Sequence, residues 1–87
     1  MHKILVVDDE VDACKMMGDF LEKNSYVAIT ANNGKEALSK FALEKPDLIL
    51  LDINMPDMDG IQCLGRIKKL DKKAMVIMVT CITDIEV

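Results

Sequence analysis

The chain has 87 residues, enough for one small domain, and 51% of them are apolar, so a packed core is feasible. Its 11 Lys and Arg against 15 Asp and Glu give a net charge of −4, which argues against nucleic-acid binding by this segment. Three scattered cysteines and one histidine argue against a zinc site and favour free thiols in a reducing compartment. Without a signal peptide or an apolar run long enough to cross a bilayer, we expect a cytoplasmic location.

The first predicted elements are a strand and a helix. Residues 4–7 form a short run of branched apolar residues, which is typical of a strand buried on both faces. A helix is predicted over Val11–Lys23, because apolar residues recur there at spacings of three and four. Its expected buried stripe consists of Cys14, Met17 and Leu21.

The second strand and helix follow a turn. Residues 26–30 indicate a less apolar strand, and Asn33 is a good N-cap, with Glu36 placed for the reciprocal capping arrangement. Pro46 ends the helix. Its expected apolar face consists of Ala37, Leu38, Phe41 and Ala42.

The second half of the chain repeats the pattern. Residues 48–51 predict a third buried strand, residues 52–59 a loop, and residues 75–79 a fourth buried strand, after which residues 81–87 could begin another helix. A third helix is expected to begin near Gly60, with the stripe Ile61, Leu64, Ile67 and Leu70. Strands that alternate with helices in this way predict an α/β domain with a parallel sheet and right-handed crossovers.

Polar side chains follow the predicted strands. Asp8 and Asp9 come after the first strand, Asp52 ends the third, and Thr80 ends the fourth. The carboxyl ends of parallel strands meet at one edge of the sheet, where ligands bind in open α/β folds. Clustered carboxylates repel one another unless a cation lies among them, and an oxygen-only set suits Mg²⁺. A carboxylate can also be the nucleophile in phosphoryl transfer, a role that Asp52 could fill.

Three segments together resemble the receiver domain of two-component response regulators: residues 7–10, residues 51–60 with their D-x-x-M-P-x-x-x-G pattern, and residues 79–80. The resemblance implies a flavodoxin-like doubly wound sheet of order 2-1-3-4-5. It also implies a signalling module, not an enzyme, which takes a phosphoryl group from a histidine kinase or a phosphotransfer protein.

The resemblance also assigns roles to single residues. It makes Asp52 the phospho-acceptor, and Asp9 and Asp52 side-chain ligands of Mg²⁺. Asn54 would bind the ion through its backbone carbonyl, and Asp8 through water. Thr80 would contact the phosphoryl group and reorient when it arrives.

Two departures from the family pattern stand out. Cys81 follows Thr80, where receivers usually carry a smaller residue. The family's fifth strand and last helices, with the lysine that contacts the phosphoryl group, have no counterpart, so we expect residues 1–87 to be a receiver incomplete at its C-terminus. The strand over residues 74–80 would then be an exposed apolar sheet edge, and we expect self-association or exchange of elements through it.

Other interpretations stay open. Asp9 could be only the N-cap of the first helix and Asp8 only a turn residue. A receiver lacking the lysine could bind Mg²⁺ and act by self-association without stable phosphorylation. A Mg²⁺-dependent phosphatase is a further alternative, although aspartyl phosphatases have a second Asp where Asn54 stands. An EF-hand fails, because aligning Gly60 at loop position six puts Met55 first and Arg66 last.

Overall fold

The computed structural model describes residues 2–52 and 60–79. Seven elements follow one another along the chain, and their types and order confirm the predicted alternation. The predicted loop after Asp52 and the helix predicted within residues 81–87 lie outside the described residues. The elements are β1 (Lys3–Val7), α1 (Val11–Lys23), β2 (Val27–Ala31), α2 (Gly34–Glu44), β3 (Leu48–Asp52), α3 (Gly60–Leu70) and β4 (Val76–Val79).

The four strands form one parallel sheet of order β2-β1-β3-β4. This confirms the predicted order 2-1-3-4 for the strands described. The register is continuous across the sheet: Val6 lies between Thr30 of β2 and Leu50 of β3, and Asp52 of β3 lies beside Val79 of β4. The acid-bearing ends of β1 and β3 therefore reach the same edge of the sheet.

Helices cover both faces of the sheet. We call the face under α2 and α3 the two-helix face and the face under α1 the one-helix face. The two-helix face buries Leu5, Val7, Ala31, Ala37, Phe41, Ile49, Leu51, Cys63, Ile67 and Ala74. The one-helix face buries Ile4, Val6, Cys14 and Leu21, with Ala28, Leu48 and Leu50 partly buried against them.

Helix α2 begins and ends at the predicted signals. The Asn33 side-chain oxygen accepts the backbone N–H of Glu36 at 2.7 Å, which confirms the N-cap. The Glu36 carboxylate lies 3.3 Å from the Lys40 ammonium, one turn further along the helix. At the other end Lys45 has a left-handed φ of 49°, and Pro46 prevents continuation of the helix.

Several predicted stripe residues are exposed instead, with Met17 at 38%, Ile61 at 66% and Leu70 at 61%. Ala42 is exposed as well. Helix α1 meets the sheet through Gly18, since a Cβ there would lie 3.5 Å from Thr30 Cγ2. The buried residues of α1 are Cys14, Gly18 and Leu21, and those of α3 are Gly60, Cys63 and Ile67. Each contact face thus combines small residues with one large apolar side chain, Leu21 in α1 and Ile67 in α3.

The prediction that the fourth strand is buried is wrong. Ile77 is 51% exposed and Val79 41% exposed, because β4 is the outer strand of the sheet that the structure describes. Together with Met75, which is 67% exposed, they give the strand an apolar outer surface. The expectation of an exposed apolar edge over residues 74–80 agrees with these positions, whereas Ala74 is buried and Thr80 lies outside the described residues.

Candidate functional site

Three carboxylates meet at the carboxyl edge of the sheet. One side-chain oxygen from each of Asp8, Asp9 and Asp52 can be chosen so that all three atoms lie within 4.8 Å of one another. Their exposure is graded: Asp52 is 8% exposed, Asp8 is half-buried and Asp9 is exposed. The cluster therefore has a buried floor and an open side, which suits a site that must admit a ligand from solvent.

Asp52 is the most rigidly placed member of the cluster. It is the last residue of β3, which pairs with β1 on one side and β4 on the other. Every second side chain of a strand points to the same face, so Asp52 shares the one-helix face with Leu48 and Leu50. A carboxylate on a central strand has little freedom to move away from a reacting group.

The turn after β1 carries the other two acids. The Asp8 backbone N–H donates to the Ala31 carbonyl at 3.0 Å, and the Glu10 N–H donates to Asp8 Oδ1 at 3.0 Å. Asp8 is therefore a turn residue and a member of the acid cluster at once. The interpretation of Asp9 as the N-cap of α1 is wrong, because Glu10 holds that position without a side-chain capping bond.

Asn32 is a participant that the sequence reasoning missed. It follows β2, and its Nδ2 donates to the Asp8 backbone carbonyl at 3.0 Å. The residue type alone does not indicate such a contact, because polar residues are common in turns between a strand and a helix. The position could have indicated it, since the residue after β2 lies beside the residue after β1 in a parallel pair.

Cys14 lies beneath the turn. Its Sγ is placed to donate to the carbonyls of Val6 at 3.5 Å and Ala31 at 3.8 Å. Burial raises the pKa of the Cys14 thiol above its ordinary value of 9.0, and the nearby Asp8 carboxylate raises it further, against smaller opposing effects of backbone hydrogen bonds. The thiol is therefore neutral at pH 7 and a poor metal ligand. The donors in the cluster are carboxylate oxygens, which fit a hard cation such as Mg²⁺.

An apolar groove of about 530 Å³ borders the acids on the one-helix face. Asp8 and Asp52 lie on its wall, and α1 contributes exposed apolar side chains, of which Met16 is 72% exposed and Phe20 60% exposed. The lining of the groove consists of Val6, Val7, Asp8, Ala13, Met16, Met17, Phe20, Leu50, Asp52 and Val79.

The remaining predicted site residues, Asn54 and Thr80, lie outside the described residues, as does Cys81. Their roles stay predictions. The structure does place the strand residue that precedes Thr80, since Val79 pairs with Asp52.

Comparison with known proteins identifies relatives along nearly the whole chain. The chemotaxis protein CheY of Bacillus subtilis is 45% identical over 78 residues, which cover 88% of this chain and 65% of CheY. The sporulation initiation phosphotransferase F of the same organism is 38% identical over 85 residues, covering 98% of this chain and 68% of the relative. This chain thus spans about two thirds of the length of these two proteins.

Solved structures give the same result for the fold. Vibrio cholerae chemotaxis protein CheY4 superposes with a TM-score of 0.91 at 32% identity, covering 97% of this chain and 72% of that protein. The response regulator TrrA of Thermotoga maritima, in complex with Mg(2+)-BeF, has a TM-score of 0.89 at 41% identity, covering 95% and 72%. These relatives confirm the flavodoxin-like fold.

The helices within the described part of the chain are all too short or too polar to cross a membrane.

The family description "response regulator receiver domain" matches residues 4–87, which confirms the resemblance read from the motifs. The chain therefore belongs to the response regulator receiver family, the signalling domains of two-component systems.

Proposed function

We propose that this chain is a phospho-acceptor module, which takes a phosphoryl group on Asp52 in a Mg²⁺-dependent reaction and signals through Thr80. The observation that carries the proposal is the carboxylate cluster, in which a buried Asp52 lies with Asp8 and Asp9 at the carboxyl edge of a parallel sheet. Ligands bind at this edge in open α/β folds.

Asp52 is the nucleophile in this proposal. Its position at the end of a strand paired on both sides fixes the carboxylate for in-line attack on a phosphoryl group that enters from solvent. Val79 lies beside Asp52 in the sheet, and Thr80 is the next residue in the sequence. This order supports a hydroxyl contact from Thr80 to the phosphoryl group and a shift of the conformational equilibrium when it arrives.

Asp8, Asp9 and Asp52, with the backbone carbonyl of Asn54, would hold Mg²⁺. The oxygen-only donors of the cluster fit this ion, and the complex of the relative TrrA with Mg(2+)-BeF supports the assignment. Bound Mg²⁺ supplies positive charge against the oxygens of a phosphoryl group. The half-buried Asp8 and the exposed Asp9 would keep that charge next to the Asp52 carboxylate.

The phosphoryl donor in this proposal is a histidine kinase or a phosphotransfer protein in the cytoplasm, as is general for receiver domains of response regulators. Residues 1–87 would act as one receiver domain, and they span about two thirds of the length of the curated relatives they match. The similarity to a protein named as a phosphotransferase supports a place in a chain of phosphoryl transfers. We propose no nucleic-acid contact for this segment, given its net charge of −4.

The exposed edge of the sheet supports a second candidate function, self-association through β4. An outer strand offers unpaired backbone groups to another chain, and here its exposed side chains, Ile77 and Val79, are apolar. In this alternative the domain would bind Mg²⁺ and act as a dimer without stable phosphorylation. Retention of a phosphoryl group distinguishes the two functions.

The test is intact-mass spectrometry after incubation with a small-molecule phosphodonor and Mg²⁺. We compare the parent with Asp52→Asn and with the control Asp47→Asn, since Asp47 immediately precedes β3 and Asp52 is its last residue. Asp47 Oδ2 accepts the Lys3 N–H at 2.8 Å, far from the acid cluster along the strand.

The proposal predicts a gain of one phosphoryl mass in the parent and in Asp47→Asn, and no gain in Asp52→Asn or without Mg²⁺. An equal gain in Asp52→Asn would place the acceptor elsewhere. No gain in the parent, with Mg²⁺ binding retained, would favour the second candidate.

A further inference from the structure

We propose that Asn32 is a positioning residue, whose side-chain amide fixes the turn that carries Asp8 and Asp9 for Mg²⁺ binding. Mg²⁺ binding belongs to the proposed function, and this role of Asn32 rests on it. Asn32 donates from Nδ2 to the Asp8 carbonyl at 3.0 Å, in a partly buried contact between residues that are 24 positions apart.

Two hydrogen bonds from the end of β2 hold the peptide groups of Asp8 on both sides. The Ala31 carbonyl accepts the Asp8 N–H, and the Asn32 amide donates to the Asp8 carbonyl, each at 3.0 Å. The pairing of β1 with β2 ends at Val7 and Ala31, so these bonds continue the attachment one residue beyond the sheet. The turn is thereby anchored to a strand and does not depend on its own local contacts alone.

The anchoring matters because the acids differ in how they are held. Asp52 lies in a strand paired on both sides, whereas Asp8 and Asp9 lie in a turn. Asp9 is exposed and follows Asp8 directly, so the orientation of the Asp8 carbonyl determines the direction in which the Asp9 side chain projects from the turn. Groups that orient metal ligands typically change metal affinity by about 10- to 100-fold when they are removed.

The neighbouring Asn33 supplies a matched control. It is the same residue type, partly buried like Asn32, but its side chain accepts the Glu36 N–H and caps α2. Replacing Asn33 by Ala should lower stability through the lost cap while leaving the turn after β1 intact. The two variants therefore separate a general loss of stability from a loss of site geometry.

The experiment is a Mg²⁺ titration of the 87-residue chain, followed by NMR of the backbone amides of residues 7–10, on the parent, Asn32→Ala and Asn33→Ala. Unfolding in urea without Mg²⁺ is measured in parallel. Asn32→Leu, which has nearly the shape of Asn without a hydrogen-bonding group, replaces Asn32→Ala if that variant does not fold. We expect about 10-fold weaker Mg²⁺ binding for the Asn32 variant and less than about 2-fold change for Asn33→Ala.

Equal Mg²⁺ affinity in the parent and the Asn32 variant would overturn the role of Asn32 and leave the proposed function standing. A similar loss of affinity in both variants would also overturn it, because the effect would then follow stability. If the parent itself shows no Mg²⁺ binding, the proposed Mg²⁺ site and the role of Asn32 both fail.

Discussion

The two faces of the sheet differ in how completely they are covered. Among the described residues the two-helix face buries ten side chains in one cluster, whereas the one-helix face buries four and leaves a groove of about 530 Å³ open. Asp52 lies on the one-helix face, with the groove beside it. The acid cluster is thus built on the less tightly packed face, while the stability of the fold is concentrated on the opposite one.

The two phenylalanines of the chain give the largest expected contrast between the faces. Phe41 packs on the two-helix face and is 8% exposed, whereas Phe20 borders the groove and is 60% exposed. We expect Phe41→Ala to lower the free energy of unfolding by about 3–5 kcal/mol, because it leaves a cavity. Phe20→Ala should cost less than about 1 kcal/mol, since most of its ring is already in water.

Urea denaturation of the two variants measures this contrast. Equal losses of stability would mean that the groove is filled in solution, either by another copy or by residues that the structure does not describe. The one-helix face would then be covered as completely as the two-helix face.

Substitution at the open edge tests self-association. Ile77→Lys puts a charge on the exposed surface of β4, and Leu43→Lys, at a position 78% exposed on α2, is its control. If copies pair through β4, we expect Ile77→Lys to weaken the association at least about 10-fold, or roughly 1.4 kcal/mol, because the lysine would have to be desolvated. Analytical ultracentrifugation reports the change, and a parent that is monomeric at all concentrations would refute pairing.

The buried thiols predict a loss of stability at high pH. Burial raises the pKa of Cys14 on the one-helix face and of Cys63 on the two-helix face above 9.0, with the Arg66 charge partly opposing the shift at Cys63. The unfolded chain loses these protons first, so their contribution is fully present below pH 9 and is lost as the pH rises towards the folded-state values. Urea denaturation between pH 7 and 10 should show a smaller decline for Cys14→Ala/Cys63→Ala than for the parent.

The matching chemical test is alkylation of the native protein. Cys14 and Cys63 are 2% and 0% exposed, so a thiol reagent should modify both slowly in buffer and rapidly in urea. Fast native labelling of Cys14 alone would show that the one-helix face opens more readily than the other.

The smallest expected effect concerns charge repulsion within the acid cluster. Asp9→Asn removes one of three neighbouring carboxylates, and its exposed position limits both the relief of repulsion and any damage to packing. Without Mg²⁺ we expect a gain in stability of up to about 0.5 kcal/mol, and with Mg²⁺ a smaller stabilisation by the ion than in the parent. Thermal unfolding with and without the ion measures both, and identical Mg²⁺ responses would contradict a role for Asp9 as a ligand.

Much of the fold could be predicted from sequence periodicity. The apolar runs of β1 and β3 and the Asn33 cap of α2 appear in the structure where the pattern places them. The acids at the ends of two adjacent parallel strands had to meet, because the topology brings those ends together.

The errors in the predicted helix stripes have a common physical origin. A search for periodicity gives most weight to large apolar side chains, whereas the buried faces of α1 and α3 also contain small residues such as Gly18 and Cys63. Met17, Ile61 and Leu70 continue the apolar pattern and are exposed all the same. The contact of Asn32 with Asp8 was not predicted for a different reason, since a contact across 24 positions leaves no local sequence pattern.

Chemical mapping of the acceptor tests the central claim most directly. After incubation with a phosphodonor and Mg²⁺, borohydride reduces an aspartyl phosphate to homoserine, and peptide sequencing by mass spectrometry locates that residue. The proposed function predicts homoserine at position 52 alone, with Asp8 and Asp9 unchanged. Homoserine at position 8 or 9, or none in a phosphorylated sample, would contradict the assignment of Asp52 as the acceptor.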